Sequence, residues 1–416
     1  MTIEIRPVTG DELPRWIEVL SAAFLSRVDA EAIARDGREL WDLARTWGAF
    51  EGDQVVGTNR TWATELTVPG GGVLPAAAVA AVAVLPTHRR RGILRRLMDI
   101  EHRAAHERGE AVSLLYAAEY PIYGRFGYGP ACQIATWAFD TKRSSLAAPV
   151  PDRGSVSLVT PSREVAAELI RVHDTWRRGH AGEIRRREYS WDYDLALRAS
   201  PWGDPWKGFL AVHRDDGGRI DGFVRYSGED RWERFMPQGV VTIDDLCALN
   251  DEAYDALWGY LAALDIAATV KAPRRRVHER LPWLLANARA AQVTELTDGL
   301  WVKLLDVPRA LAARRYERAG SIVIEVVDEH GTEREVRTRV ALDAGPQGAT
   351  CDVTSRSPDL TIDAAALGAV YLGGTRLRDA VAAAGTFTAD EGRPGALANA
   401  EALFRTLDAP GCSTFF

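Results

Sequence analysis

Apolar residues recur at helical spacing through Trp16, Val19, Leu20 and Phe24, which predicts a helix over TGDELPRWIEVLSAAF with Thr9 or Asp11 near its cap. Before it, Ile3–Pro7 read as a short strand. The stretch TWGAFEGDQVVGTNRTWATELTVPGG reads as a hairpin turned near Gly52 and Asp53, followed by a further strand. AAAVAAVAVLP is small and apolar on both faces, as a central strand covered on two sides would be. From Gly92 to Arg108, Ile93, Leu94, Leu97, Ile100 and Ala104 mark an amphipathic helix that Gly109 is placed to end. EAVSLLYAAE is another buried strand, YPIYGRFGYGPA a turn-rich segment and QIATWAF a strand.

SSLAAPVPDRGS then reads as a linker, after which the plan recurs. A strand is expected at Ser155–Val159, a helix around Arg163–Arg177 and a hairpin turned by Asp215 to Gly218. A strand near Val240–Ile243 and a helix around Asn250–Leu264 complete this second unit. The loop before that last helix, CALNDEAY, is acidic and lacks glycine, so it satisfies the helix dipole without an external anion. From about Asp306 strands give way to the helices DAAALGAVYLGG, LRDAVAAAG and GALANAEALFRTLD, an α+β pattern.

Composition narrows the function classes. With 416 residues, 46% hydrophobic and 26% charged, the chain has the make-up of a soluble multidomain protein. Its net charge of −7 disfavours nucleic-acid binding through a basic surface, and no second basic stripe is read beside VLPTHRRRGIL. Cys132, Cys247, Cys351 and Cys412 form no C-x-x-C pair, which suits a reducing cytoplasm. The N-terminus has no basic-then-apolar signal pattern, and the longest apolar run, Val73 to Leu85, is too short to span a bilayer.

The arginine triplet is a local puzzle. Cations at a helix N-terminus are unfavourable by roughly 0.3–1 kcal/mol each. Arg89, Arg90 and Arg91 before Gly92 make sense if an anion sits among them, because glycine lets the backbone approach and the free N–H groups and guanidiniums can cradle phosphate. His102 and His106 have the i, i+4 spacing of a zinc helix, but Arg103 stands where a metalloprotease needs glutamate. They read as two exposed histidines, and no metal site is expected. No G-x-S-x-G, Walker A or Rossmann fingerprint is present.

Strand, Arg89-x-x-Gly92, helix resembles the acetyl-CoA pyrophosphate loop of the GCN5-related N-acetyltransferase (GNAT) superfamily, departing at Leu94, where that pattern has glycine or alanine. VAVLPTHRRRGILRRLM, IYGRFGYGPA and a C-terminal phenylalanine together resemble the enhanced intracellular survival (Eis) family of N-acetyltransferases. The resemblance implies an α/β (α+β) architecture in three parts. These are an acetyl-CoA-binding GNAT domain over residues 1–143, a cofactor-free GNAT-like domain over 155–303 and a sterol-carrier-like α+β domain over 304–416.

On this resemblance, the backbone of Val82, Ala83 and Val84 pairs with the pantetheine arm. Arg90, Arg91, Gly92, Ile93, Leu94 and Arg95 hold the pyrophosphate, and Ala118 and Glu119 mark the neighbouring strand end. Tyr123 matches the general acid, since a phenol near about 10 can protonate a thiolate near about 8.5 when aligned; Tyr128 reads as structural. The carboxylate of Phe416 matches the general base, and both terminal rings are expected to be buried. The acceptor is then a small-molecule or peptide amine, with no nucleic acid, membrane or metal involved, and the assembly is a cytoplasmic homohexamer. Where relatives that acetylate aminoglycosides carry acids, this chain has Ser26, Arg27 and Phe415, so polycations should be held less tightly. The alternative is a non-enzymatic protein that binds CoA or a lipid.

Overall fold

A computed structural model describes residues 3–149, 153–329, 336–382 and 387–416. The linker residues 150–152 lie outside them. β1 (Ile3–Pro7) leads through a capping box, in which Thr9 and Glu12 satisfy each other's backbone, into α1 (Leu13–Ala23) and α2 (Ala30–Asp36). β2 (Thr46–Glu51), β3 (Gln54–Thr67) and β4 (Val73–Val84) are antiparallel neighbours, and the first two turn at Gly52, whose φ is +60°. α3 (Ile93–Glu107) returns the chain to β5 (Val112–Leu115), parallel to β4. α4 (Tyr120–Tyr123) and β6 (Gly129–Pro130) close the segment. β3 and β4 are buried along both faces because helices cover both: Trp16, Ile17 and Ile33 pack on one side, Ile93 and Leu97 on the other.

The next strand changes sheets. β7 (Gln133–Asp140) pairs in the second unit, which comprises β8 (Ser155–Val159), α5 (Arg163–Arg178), α6 (Glu188–Asp194), β9 (Phe209–Arg214) and β10 (Ile220–Glu229). After a short hairpin of β11 (Trp232–Glu233) and β12 (Met236–Pro237), it continues with β13 (Gly239–Ala248), α7 (Asp251–Ala262), β14 (Ala267–Arg275), α8 (Leu281–Leu284) and β15 (Ala291–Asp298). The sheet order is β15-β7-β14-β13-β10-β9-β8. β16 (Trp301–Leu304) goes the other way and inserts between β5 and β6, giving β1-β2-β3-β4-β5-β16-β6. Each sheet thus holds a strand from the other's stretch of chain, and boundaries at 143 and 303 cut across hydrogen-bonded ladders. Strand alternation shows which face is buried but not which sheet edge is partnered.

α9 (Val307–Ala313) opens the third unit, a sheet of β17 (Gly320–Asp328), β18 (Val336–Gly345), β19 (Gly348–Val353) and β20 (Leu360–Asp363). α10 (Ala364–Val370), α11 (Leu377–Ala382), β21 (Ala389–Glu391) and α12 (Ala396–Phe404) complete it, in the order β19-β18-β17-β20-β21. α10 lies hard on the first sheet: a Cβ on Gly129 would stand 2.1 Å from the Ala365 carbonyl. One continuous core therefore joins Leu114 and Val302 to Ile324 and Leu367. No helix among the described residues is long and apolar enough to cross a membrane.

Candidate active site

β4 pairs with β5 only from Ala76↔Val112 to Ala78↔Leu114, and from there to Val84 it is paired with β3 on its other side but no longer with β5. A bulge at Ala81, where φ is +54° and the register with β3 shifts, turns it away; Thr58 Oγ1 fixes the bulge by donating to the Ala81 carbonyl at 2.8 Å. A left-handed alanine inside a strand is costly, and such strain concentrates at functional sites. The parted strands open a cleft of about 760 Å³ lined by Val82, Ala83, Val84, Arg90, Gly92, Ile93, Leu94, Arg95, Ala118, Glu119 and Tyr123. Those residues, expected from sequence as donor-binding or acid groups, come together here.

At its mouth α3 begins on Gly92, in the left-handed region at φ +76°, with no side-chain cap and no acid in the first turn. Arg90 is also left-handed, at φ +63°. The first N–H groups of the helix thus remain open to an anion. Arg89, Arg90 and Arg95 are exposed and have no carboxylate within 4.0 Å among the described residues. Arg91 departs from expectation: its side chain does not line the cleft but meets Glu51 at 2.5 Å, beside His88, because that carboxylate lies across the loop.

Deeper in the cleft Tyr123 is buried among Val79, Leu115 and Phe126, and its hydroxyl makes no hydrogen bond within the described residues. Burial pushes its phenol up to about 12. Tyr128 behaves as a packing residue: its hydroxyl is saturated by Ser113 Oγ at 2.6 Å and His102 Nε2 at 2.9 Å. His102 is accordingly buried, not exposed as its helix position implied, and burial pushes its pKa well below the ordinary value. His106 alone faces solvent. Among the described residues no group of three or more His, Cys, Asp or Glu is placed to hold a metal.

Residues 405–416 have no regular secondary structure and return between the first two units. Tyr116, just beyond β5, donates to the carbonyls of Thr414 at 3.0 Å and Cys412 at 3.2 Å. Buried Glu183 accepts from the Ser413 backbone N–H at 3.0 Å and from its hydroxyl at 3.1 Å. Arg186, paired with buried Asp245, donates through Nε to Thr414 Oγ1 at 2.9 Å. This latch sets the Phe416 ring edge-on to Trp62 at 5.1 Å and to Tyr116 at 5.2 Å. Phe415, although its ring lies 4.9 Å from Tyr116, is 66% exposed, so the expectation that both terminal rings are buried fails for it. The Phe416 carboxylate has no ion-pair partner among the described residues. Phe416 lines a second cavity of about 280 Å³, which shares no lining residue with the cleft of Tyr123.

Residues 4–131 and 182–304 each match an acetyltransferase (GNAT) domain family, and residues 307–413 match the sterol carrier protein domain family. An uncharacterized N-acetyltransferase of Streptomyces griseus is 38% identical over 425 residues, covering 100% of both chains. The N-acetyltransferase Eis of Mycobacterium tuberculosis is 33% identical over 397 residues, covering 92% of each chain. The chain belongs to the Eis family of N-acetyltransferases. The crystal structure of Eis1 from Mycobacterium abscessus superposes on this Eis-family chain with a TM-score of 0.84 at 33% identity, covering 100% of both chains. The order of two GNAT domains and a sterol-carrier-like domain thus stands, and the Eis-family fold takes acetyl-CoA as its cosubstrate.

Sequence reasoning missed the residues that build the second cavity in this Eis-family enzyme. Their signal was present: beside the triplet at 89–91, an arginine triplet stands at 185–187. Arg186 and Arg187 are partly buried and Arg185 is exposed, so this triplet is not spread over a surface as a basic stripe. Tyr116 and Glu183 carry no motif, because their role appears only once the C-terminus is folded back onto them.

Proposed function

We propose that this protein transfers the acetyl group of acetyl-CoA directly to a primary amine, with Tyr123 as general acid and the Phe416 carboxylate as general base. The observation that carries this reading is the buried Tyr123 phenol, which has no hydrogen-bond partner among the described residues, in the cleft where β4 and β5 part; the Phe416 carboxylate, without an ion-pair partner among the described residues, belongs to the residue that lines the second cavity. The open N–H groups of α3 with Arg89, Arg90 and Arg95 fit the donor's phosphates. The ammonium gives one proton to the carboxylate and its nitrogen attacks the thioester carbonyl. A C–N bond forms, the C–S bond breaks, and the departing sulfur takes the phenol proton. The nitrogen's surplus proton restores Tyr123, so the products are an amide, the CoA thiol and one proton released from the carboxylate.

The acceptor classes weighed are a small polyamine, an aminoglycoside-like amine and a lysine-containing molecule. Assembly as a homohexamer in the cytoplasm belongs to the same reading. The test is thiol release from acetyl-CoA across an amine panel: turnover above the amine-free blank is expected, and none with any amine would overturn the reading. Light scattering of the purified protein tests the hexamer.

A further inference from the structure

The cavity beside Phe416 is cationic and aromatic. Four arginines, Arg60, Arg185, Arg186 and Arg187, line it. Two are committed elsewhere: Arg186 to Asp245, and Arg185 to Glu65 at 3.8 Å. Asp194, which also lines the cavity, faces Arg225 at 3.7 Å. Arg60 and Arg187 have no carboxylate within 4.0 Å among the described residues. Arg187 Nη1 is buried with no hydrogen-bond partner, and burial lowers the guanidinium to about 10, so it remains charged at neutral pH. Arg60 carries the same burial penalty and spends one donor on the Leu40 carbonyl.

Both guanidiniums are held flat by rings. Arg187 lies 3.9 Å over Trp62 and 4.5 Å from the Tyr189 ring centre; Arg60 lies 4.5 Å over Trp41. Such stacking fixes the planar fork that recognises a carboxylate. A buried cation without a counter-ion is expensive, and an anionic ligand is the partner that would offset it. The free carboxylate of Phe416 is carried by a ring packed on the same Trp62 indole. Unpaired positive and negative ends therefore face one small aromatic cavity.

We propose that the acceptor is a small zwitterion: an amine placed at Phe416 and a carboxylate held by Arg60 and Arg187, with a planar spacer against Trp62 and Tyr189. This assignment rests on the acyl-transfer reading above. It predicts in charge terms that a polycation is the poorer guest, because added ammoniums meet a cavity in which guanidiniums outnumber the one carboxylate side chain, Asp194.

The probes are 4-(aminomethyl)phenylacetate, its methyl ester and spermidine as acceptors, and phenylacetate as an unreactive anion. The acid should exceed the ester in kcat/KM by at least about tenfold in the wild type. Arg187→Gln should bring that ratio close to one, and Arg187→Lys, which keeps the charge, should restore part of it. Phenylacetate should inhibit turnover and give calorimetric heat that Arg187→Gln loses. An ester as good as the acid, a ratio unmoved by a folded Arg187→Gln, or a preference for spermidine would each overturn the assignment while leaving acetyl transfer intact. Phenylacetate binding with no thiol released from any amine would instead overturn the acyl-transfer reading and leave the anion site standing.

Discussion

Replacing Tyr123 with phenylalanine removes one buried hydroxyl that has no partner among the described residues, so its effect on rate can be separated from its effect on folding. Burial sets the phenol at about 12. The acid that would take its place is water, at about 15.7. Tyr123 is therefore the stronger acid by roughly 4 units, and with the proton about half transferred this becomes roughly 10²-fold in rate, or about 2.7 kcal/mol. The same burial makes complete protonation of a thiolate near about 8.5 uphill, so transfer must accompany C–S cleavage rather than follow an equilibrium step. Stopped assays of thiol release give kcat, and calorimetry with CoA gives the donor affinity. Tyr123→Phe should lower kcat about 10²-fold, leave the CoA dissociation constant essentially unchanged and leave the melting temperature the same or slightly higher, since no hydrogen bond is lost. A kcat within twofold of wild type, or matching losses of rate and CoA affinity, would refute the reasoning.

Other perturbations test separate parts of the structure. One alanine added after Phe416 turns its free carboxylate into a peptide carbonyl; turnover should fall at least about 10²-fold with CoA binding kept, and unchanged turnover would remove Phe416 as base. Asp245→Ala leaves Arg186 buried and unpaired, so thermal or urea unfolding should show a loss of about 3–5 kcal/mol; a loss within ordinary surface values would mean that the pair does not hold the latch. Burial raises Asp99 from the ordinary 3.8 to about 6. The folded state then resists its ionisation, so this destabilisation is absent below pH 3.8, grows as the pH rises to about 6 and is constant above. Because the side chain is half-exposed, Asp99→Asn should stabilise the protein by only about 1 kcal/mol at pH 7.5 and not at pH 3.5, and equal melting shifts at both would contradict it.

Much of the donor side was legible before any coordinates. The recurrence of Ile93, Leu97 and Ala104 marks α3, and Gly92 after three arginines marks its open start, because these signals are local and periodic. β7, which lies inside the expected first domain, pairs with β14 and β15 of the second sheet, and pairing partners are not written in a strand's own alternation. His102 looked solvent-facing until Tyr128 and Ser113 were seen across from it. The acceptor side was least legible: Arg60, Trp62, Arg187 and Phe416 are scattered over more than three hundred positions and meet only when the last twelve residues, 405–416, fold back against Tyr116 and Glu183. Side chains that meet through a non-local latch leave no periodic trace.

The proposed function requires acetyl transfer from acetyl-CoA to an amine. Mass spectrometry of the acceptor after incubation with purified enzyme and acetyl-CoA tests it most directly. The account predicts an acceptor heavier by one acetyl group, formed in step with free CoA and abolished by extension beyond Phe416. An unmodified acceptor throughout the amine panel, with acetyl-CoA intact, would contradict it.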